Sequence, residues 1–255
     1  MKQCYLIALF TIIYKECHRV LRLWTQTLLP PIINMTLYFF IFGQMVGQHI
    51  GTVNGLAYAT FIAPGLVMLG MVVNAYMNAS SSVFIEKFQG CLQEVLVAPV
   101  PTGLIVTGVI LGAVLRGLMV ALAITLVGWL CVGAVVHHWI LWLGIAILNC
   151  GVFGALGLFN ALYANHFDDI NTVPSFILTP LTFLGGVFYP IDRLPPFWQT
   201  LSHYNPLAYL INGLRATYLS GTVPWIQLGM LVLVTVAVSA LCMRKINQRS
   251  GVRVQ

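Results

Sequence analysis

Long apolar runs alternate with short polar segments along the whole chain. Apolar runs of about 18 residues or more with few charges are typical of membrane-spanning helices, which need about 20 residues each. Six such spans are predicted, at residues 28–47, 58–79, 104–135, 139–164, 172–189 and 225–243. Because these runs do not alternate apolar and polar residues, as the strands of a barrel would, the pattern predicts an all-α membrane protein.

The composition agrees with this fold class. Of the 255 residues, 59% are hydrophobic and 7% are charged, which is more apolar surface than a soluble chain of this length can bury. We expect one transmembrane domain at residues 28–243, preceded by an N-terminal interfacial helix at 1–27 and followed by a basic cytoplasmic tail at 244–255. The six cysteines form no CxxC pair and are expected to be free thiols. The basic residues form no dense run, so nucleic acid is not an expected partner.

The positions of Lys and Arg indicate the orientation in the membrane. Nine of the twelve lie in the N-terminal segment, after the second span or in the C-terminal tail, whereas Arg193 and Arg215 fall on the opposite side. Cytoplasmic loops carry the excess of Lys and Arg, so both termini are expected in the cytoplasm. The chain is therefore predicted to be a multi-pass membrane protein.

The segment before the first span has the pattern of an amphipathic helix. Lys15, His18, Arg19 and Arg22 follow i, i+3, i+4, i+7 spacing and share one helix face. Lys15, Arg19 and Arg22 are expected to lie near anionic lipid head groups of the inner leaflet. Pro30-Pro31 is expected to break the chain before the first span or to sit in its opening turn. The alternative is a plain basic flank without a surface helix.

A charged segment separates the second and third spans. On a helical wheel Phe84, Phe88, Cys91 and Val95 gather on one side, and Glu86, Gly90, Gln93 and Glu94 on the other. The pattern predicts a separate amphipathic helix at residues 82–98, with an N-cap among Ser80, Ser81 and Ser82 and an end at Pro99 and Pro101. This helix either contacts a cytosolic partner or is a solvated loop helix, and its shape does not decide between them.

Three motifs resemble those of type-2 ABC-transporter permeases. FIEKFQGCLQEVLVAPVPTG, from Phe84 to Gly103, resembles their cytoplasmic coupling segment, although Cys91 and Gln93 stand where the family often has small hydroxyl residues. FLGGVFYPIDRLPPFWQTLSHYNPLAYLINGLR, from Phe183 to Arg215, resembles the signature near the end of these permeases, and NHFDDINTVPSF is similar to their short loop before the fifth span. The resemblance is closest to the subfamily that contains YadH and the nodulation-factor exporter permeases.

The resemblance implies a function, a location in the bacterial inner membrane and a set of partners. Such permeases are homodimers or paired half-permeases with six spans per protomer, and each protomer docks one cytoplasmic ATPase subunit; a homodimer is expected here. The chain itself has no GxxxxGK[ST] phosphate loop, so ATP and Mg²⁺ are expected on the partner ATPase, with no cofactor, no metal and no catalytic residue in this chain. The expected substrate is hydrophobic or lipid-linked and moves outward. The residues expected at the ATPase interface are Glu86, Lys87, Gly90, Gln93, Glu94, Asp168 and Asp169.

The connection between the fifth and sixth spans is too apolar for an open loop. It reads as two short helices within residues 191–220, split near Asn205-Pro206, that dip into the outer leaflet and cover the exit path. The residues expected at the path or its gate are Arg116, Trp198, Tyr204, Asn205, Pro206 and Arg215.

Arg116 is the one charge well inside a predicted span. An unpaired intramembrane arginine is costly, so it is expected to face the bundle interior, water or a partner, or else to reach the inner surface. The neighbouring spans contain no acid, which leaves Asn74, Asn78 and Asn160 as possible partners.

Other polar clusters are explained by local structure. Asp168 and Asp169 do not match a metal-ligand spacing; Asp169, Asn171 or Thr172 is expected to cap the fifth span, with Pro174 in its first turn. Gly151, Gly154 and Gly157 share one helix side and are expected to permit tight packing. Two other functions stay open at this point: a membrane-embedded lipid-modifying enzyme, which would need paired polar groups at membrane depth, and an ion-driven secondary transporter, which would favour buried carboxylates.

Overall fold

The computed structural model of the chain describes residues 2–53, 55–91, 100–218 and 225–251. Within these ranges nine helices follow one another along the chain, and one two-stranded antiparallel hairpin, β1 (Thr52–Val53) and β2 (Leu56–Ala57), lies between the second and the third. The helices are α1 (Lys2–Arg22), α2 (Trp24–Ile50, π-helical over Phe39–Val46), α3 (Tyr58–Phe88), α4 (Thr102–Val132), α5 (Trp139–Tyr163), α6 (Phe167–Val173, continued by a π-helical stretch at Pro174–Leu178 and by Thr179–Leu184), α7 (Pro196–His203), α8 (Pro206–Tyr218) and α9 (Trp225–Gly251), with a 3₁₀ turn at Ile191–Arg193.

The prediction of an all-α fold is confirmed for the described residues. By length and composition, α2, α3, α4 and α5 are each able to cross a membrane, and they correspond to the first four predicted spans. The fifth predicted span corresponds to α6 and the sixth to part of α9.

Helix α3 is the centre of the bundle. It packs against α4, α5 and α8, and its side chains are buried on nearly every side from Phe61 to Val72. At 31 residues it is about 46 Å long at 1.5 Å per residue, well beyond the roughly 30 Å of a bilayer core. The helix is therefore longer than one crossing of the hydrocarbon region needs.

The course of α3 corrects the predicted start of a separate charged helix at residue 82. Ser80, Ser81 and Ser82 lie inside α3 and do not form an N-cap. The Ser81 hydroxyl donates to the Met77 carbonyl at 2.6 Å, the backward bond that a serine makes within a helix. Residues 92–99, which include Gln93, Glu94 and Pro99 of the predicted coupling helix, lie outside the described residues.

The N-terminal segment also differs from its prediction. Helix α1 ends at Arg22 and α2 begins at Trp24, so Pro30 and Pro31 lie inside α2 and neither break the chain nor occupy the opening turn. The two prolines remove only the backbone donors that would reach the carbonyls of Gln26 and Thr27, and the helix continues through them.

Small residues set the closest helix contacts. Gly154 of α5 lies so near α4 that an added Cβ would be 2.7 Å from the Cβ of Ala113, and Gly157 meets the Tyr76 carbonyl of α3. The expectation of tight packing is thus confirmed for these two glycines. On α4, Gly112 and Gly108 lie against α1, where a Cβ on Gly112 would be 2.7 Å from the Cβ of Glu16. Helix α1 therefore packs directly on the transmembrane bundle.

Candidate functional site

Four polar residues recur every fourth position along one side of α3: Asn74, Asn78, Ser82 and Glu86. Residues four apart lie above one another on a helix, so the four form a single polar stripe, here called the α3 ladder. Each member contacts a charged residue of α1 or α4: Asn74 contacts Arg116, Asn78 contacts Arg19, Ser82 contacts Glu16, and Glu86 contacts Lys15.

The middle of the ladder holds a buried carboxylate. Glu16 is fully buried; its Oε1 accepts a hydrogen bond from Ser82 Oγ at 2.6 Å, and its Oε2 accepts one from Arg19 Nη2 at 2.8 Å. Arg19 also donates to the Asn78 side-chain oxygen at 2.9 Å. A buried charge is tolerated when it is paired and hydrogen-bonded, and both conditions are met here.

This geometry corrects the expectation that Arg19 faces lipid head groups. Its guanidinium points into the bundle, whereas Lys15, which pairs with Glu86, stays half exposed and Arg22 is exposed. Sequence reasoning missed Glu16 altogether. Two signals could have found it: the Glu16–Arg19 spacing of three, and the Gly108–Gly112 spacing of four, which permits close approach of another helix.

Arg116 lies one helical turn beyond Gly112 on α4. Its Nη2 donates to the Asn74 side-chain oxygen at 3.3 Å, which confirms one of its three expected partners. The other two are engaged elsewhere, because Asn78 contacts Arg19 and Asn160 donates to the Asp169 carbonyl at 3.2 Å. The neighbouring spans contain no acid, but Glu16 of α1, which is outside the predicted spans, packs against Gly112 one turn away.

The ends of α3 and α5 and the start of α6 meet at one surface. Lys87 Nζ donates to the carbonyl of Ala164, just after α5, and the rings of Phe84 and Phe167 are 6.1 Å apart. Gly90 follows α3 with a φ of 80°, a left-handed conformation that suits glycine and turns the chain away from the helix. The end of α3, with Glu86, Lys87 and Gly90, thus lies against the start of α6, with Asp168 and Asp169, and Lys87 is the residue that contacts this region directly. Gln93 and Glu94 lie outside the described residues.

Asp169 caps α6, as one of the sequence alternatives predicted. Its carboxylate accepts the backbone N–H of Asn165 at 2.8 Å and of His166 at 2.9 Å. The hydrogen bond from His166, and next the one from Asn165, lower the pKa of the Asp169 carboxyl below its ordinary value, because both favour the charged form. The alternatives were wrong: Asn171 and Thr172 lie inside the helix, and Pro174 begins its π-helical stretch, not its first turn.

At the other end of the bundle, the chain forms two short helices that meet at Asn205 and Pro206, as predicted. Asn205 is buried; its amide donates to the Leu181 carbonyl at 2.6 Å, and its side-chain oxygen accepts the N–H of Leu207 at 3.0 Å. It thus caps α8 and ties it to α6. Tyr204, by contrast, is 83% exposed, and Trp198 is half exposed against Phe197.

Arg215 of α8 reaches back across this end of the bundle. It donates to the Gly186 carbonyl at 2.9 Å and to the Asn212 side-chain oxygen at 2.8 Å, and its guanidinium carbon is 3.9 Å from the centre of the Phe61 ring. Gly186 has a φ of 83°, so the arginine stabilises the left-handed turn that ends α6.

Comparison with known proteins identifies the family of this chain. The model of the ABC-2 type transporter family matches residues 7–219, which run from within α1 to the end of α8. The chain belongs to the ABC-2 type transporter family. It is 46% identical over 255 residues to the inner membrane transport permease YadH of Escherichia coli K12, covering 99% of this chain and all of that protein. It is also 27% identical over 206 residues to nodulation protein J of Rhizobium leguminosarum bv. viciae, covering 77% of this chain and 78% of that protein.

Family membership confirms the resemblance found in the sequence motifs. It makes the chain a multi-pass membrane permease of an ABC transporter, with transport as its activity. Because the matched region starts within α1, that helix is part of the permease itself.

Proposed function

We propose that this permease exports a hydrophobic or lipid-linked substrate, driven by a separate cytoplasmic ATP-binding-cassette ATPase that docks on it. The observation that carries the proposal is the family match over residues 7–219, together with the full-length similarity to an inner membrane transport permease. ATP and Mg²⁺ bind to the ATPase partner, and this chain supplies the path and the docking surface.

In the proposed topology, six helices span the bacterial inner membrane and both termini are cytoplasmic. The four long apolar helices α2 to α5 support the first four spans, and α6 and α9 supply the fifth and sixth. The bias of Lys and Arg supports the orientation. Helices α7 and α8 are then the outer re-entrant pair, α1 is the interfacial helix with Arg22 toward the membrane surface, and residues 244–255 are a cytoplasmic tail.

The proposed ATPase docking surface lies at the cytoplasmic end of α3. Glu86 and Lys87 lie beside the Asp168–Asp169 turn, and Gly90 directs the chain toward the segment that contains Gln93 and Glu94. Since Glu86 is paired with Lys15, and Lys87 with the Ala164 carbonyl, a movement of the docked ATPase would act on α1 and α5 as well as on α3.

The proposed translocation path runs between two copies of the chain. Leu29, Ile33 and Leu37 on one side of α2 are each about half exposed, which suits lipid or a second copy. Arg116 lies on the inner part of the path, and Trp198, Tyr204, Asn205, Pro206 and Arg215 belong to its outer cover.

The two other functions raised by the sequence receive less support. An ion-driven transporter would need a carboxylate free to bind a cation at membrane depth. Among the described residues Glu16 is the one fully buried carboxylate, and it is paired with Arg19 and Ser82. A lipid-modifying enzyme is not expected from a member of a transport permease family.

Affinity purification in mild detergent from native-host membranes tests the proposal. We expect an ATPase subunit to co-purify with the wild-type chain and to be depleted by Glu94→Lys. The matched control is Arg193→Glu, a charge reversal on the predicted outer side, which should retain the ATPase. If no ATPase accompanies the wild-type chain under conditions that preserve its fold, the proposal fails.

A further inference from the structure

A polar cavity of about 290 Å³ lies beside the cap formed by α7 and α8. Phe61 of α3, the turn at residues 190–192 and the ends of the two short helices enclose it. Four side chains in its lining carry charge or strong hydrogen-bonding groups: Asp192, His203, Asn212 and Arg215. So polar a cavity is unusual in a chain in which 59% of the residues are hydrophobic.

Arg215 is the partly buried cation of this cavity, and no carboxylate of the described residues is paired with it. Its guanidinium donates to a backbone carbonyl and to an amide oxygen, both neutral, and its Nε has no hydrogen-bond partner among the described residues. No described carboxylate lies within 4.0 Å of it, although Asp192 lines the same cavity. A desolvated guanidinium whose hydrogen-bond acceptors are neutral favours a carboxylate or phosphate ligand, which would supply the missing negative charge.

A second, apolar cavity of about 550 Å³ lies across α8 from the first. It is lined by α5, α6, α8 and α9, with Phe153, Leu156, Leu181, Leu210 and Val234 among its walls. Tyr209 of α8 lines both cavities, so they are neighbours. Each volume is of the order found for small-molecule sites, which are about 300–1,000 Å³.

We propose that the two cavities form one binding site for an anionic amphiphile. The carboxylate or phosphate head group binds Arg215, the apolar chain fills the second cavity, and Tyr209 lies between them. Asp192 stands at the rim, where it repels excess negative charge and accepts hydrogen bonds from hydroxyl groups of the head. The inference rests on the proposed export function and names the chemical class of its substrate.

Binding to the purified permease in a nonionic detergent, without any ATPase, tests this site. The probes are 1-palmitoyl lysophosphatidic acid, 1-palmitoylglycerol, which keeps the tail without the charge, and glycerol phosphate, which keeps the charge without the tail. Calorimetry should give at least tenfold tighter binding for lysophosphatidic acid than for either of the other probes. Equal binding of 1-palmitoylglycerol would overturn the role of the anion, and equal binding of glycerol phosphate would overturn the role of the apolar cavity.

Substitutions of Arg215 and of Asp192 should change the affinity for lysophosphatidic acid in opposite directions. Arg215→Gln is expected to weaken binding of lysophosphatidic acid at least tenfold, while Asp192→Asn is expected to strengthen it two- to fivefold by removing repulsion. Arg193→Gln is the matched control, because it removes an exposed arginine near the same cap and should change affinity less than twofold. Wild-type affinity in Arg215→Gln would overturn the proposal.

Folding of the variants is checked separately. Melting curves without ligand identify a variant that does not fold. If Arg215→Gln does not fold, the affinities of Asp192→Asn and of the cavity-filling Leu156→Trp for lysophosphatidic acid still test the proposed site. Leu156→Trp should weaken the binding of lysophosphatidic acid without changing the affinity for glycerol phosphate. Because no ATPase is present, a failure here leaves ATPase docking untouched, whereas loss of ATPase co-purification would leave this binding result standing.

Discussion

Ser82 of α3 donates a hydrogen bond of 2.6 Å to the carboxylate of Glu16, which lies on α1 and 66 residues earlier in the chain. The contact joins the interfacial helix to the central helix of the bundle at a buried point. The same carboxylate is paired with Arg19. Helix α1, the predicted membrane-surface helix, is therefore bound along its side to α3, the helix that carries the proposed docking surface.

Removing the Glu16 charge should destabilise the permease. Glu16→Gln keeps the shape but leaves Arg19 without its charged partner, and the expected loss is about 2–3 kcal/mol in the free energy of unfolding. The measurement is denaturant unfolding in detergent micelles, followed by circular dichroism. Glu86→Gln is the comparison, since it removes the pair at the exposed end of the ladder and should cost less than about 1 kcal/mol. Equal losses for the two variants would contradict the buried pair.

The close approach of α1 to α4 depends on Gly112. In Gly112→Ala the added methyl group would lie 2.7 Å from the Cβ of Glu16, so α1 must shift and the melting temperature should fall. Gly144 is the matched control, because a Cβ there meets nothing within 4 Å. Gly144→Ala should be neutral or stabilise by up to about 1 kcal/mol through helix propensity. A Gly112→Ala variant as stable as Gly144→Ala would show that the two helices are not packed at this point.

The cap of α6 should make stability depend on pH in a defined direction. The folded state lowers the pKa of Asp169, so its stabilisation is fully present above the unfolded pKa of about 3.9 and is lost as the pH falls through the lower folded value. The difference in melting temperature between wild type and Asp169→Asn should be constant above about pH 5 and shrink below about pH 4. Asp168→Asn serves as the control, with a smaller difference, because its carboxylate accepts no hydrogen bond from the described residues.

Asn205 holds the outer helices to α6 through two hydrogen bonds. Asn205→Ala removes both the N-cap of α8 and the bond to the Leu181 carbonyl, and should cost about 1–3 kcal/mol. Its neighbour Tyr204 is 83% exposed, and Tyr204→Ala should leave unfolding unchanged within about 0.5 kcal/mol. Proteolysis within residues 191–204 should become faster in the Asn205 variant alone.

The features that depend on local sequence pattern could be predicted from the sequence. Apolar runs predicted α2 to α5, the Asn205-Pro206 pair predicted the break between α7 and α8, and Asp169 was recognised as a possible cap. Each of these follows from residues within a few positions of one another, where helix periodicity and capping chemistry act directly.

Features that depend on tertiary contacts were not predictable in the same way. In the sequence Glu16 is one charge among several in a basic flank. Its burial, and the inward direction of Arg19, follow from the packing of α1 against Gly112, which the sequence does not show. The three serines at 80–82 resemble an N-cap, but their hydroxyls can also bond backwards within a helix, and packing on α4 and α5 keeps α3 helical through them.

ATP hydrolysis by the complex purified with its ATPase and placed in lipid nanodiscs tests the central claim most directly. The variants are Lys15→Glu, Glu86→Lys, their charge-swapped combination and Glu94→Lys. We expect each single reversal at the ladder to lower activity. The swap should restore it in part, because the ion pair between positions 15 and 86 is re-formed while the charge at position 86 stays reversed on the docking surface. Glu94→Lys should remove the bound ATPase. Absence of any hydrolysis that depends on the permease, in a folded wild-type complex, would contradict the claim that this chain is the membrane subunit of an ATP-driven exporter.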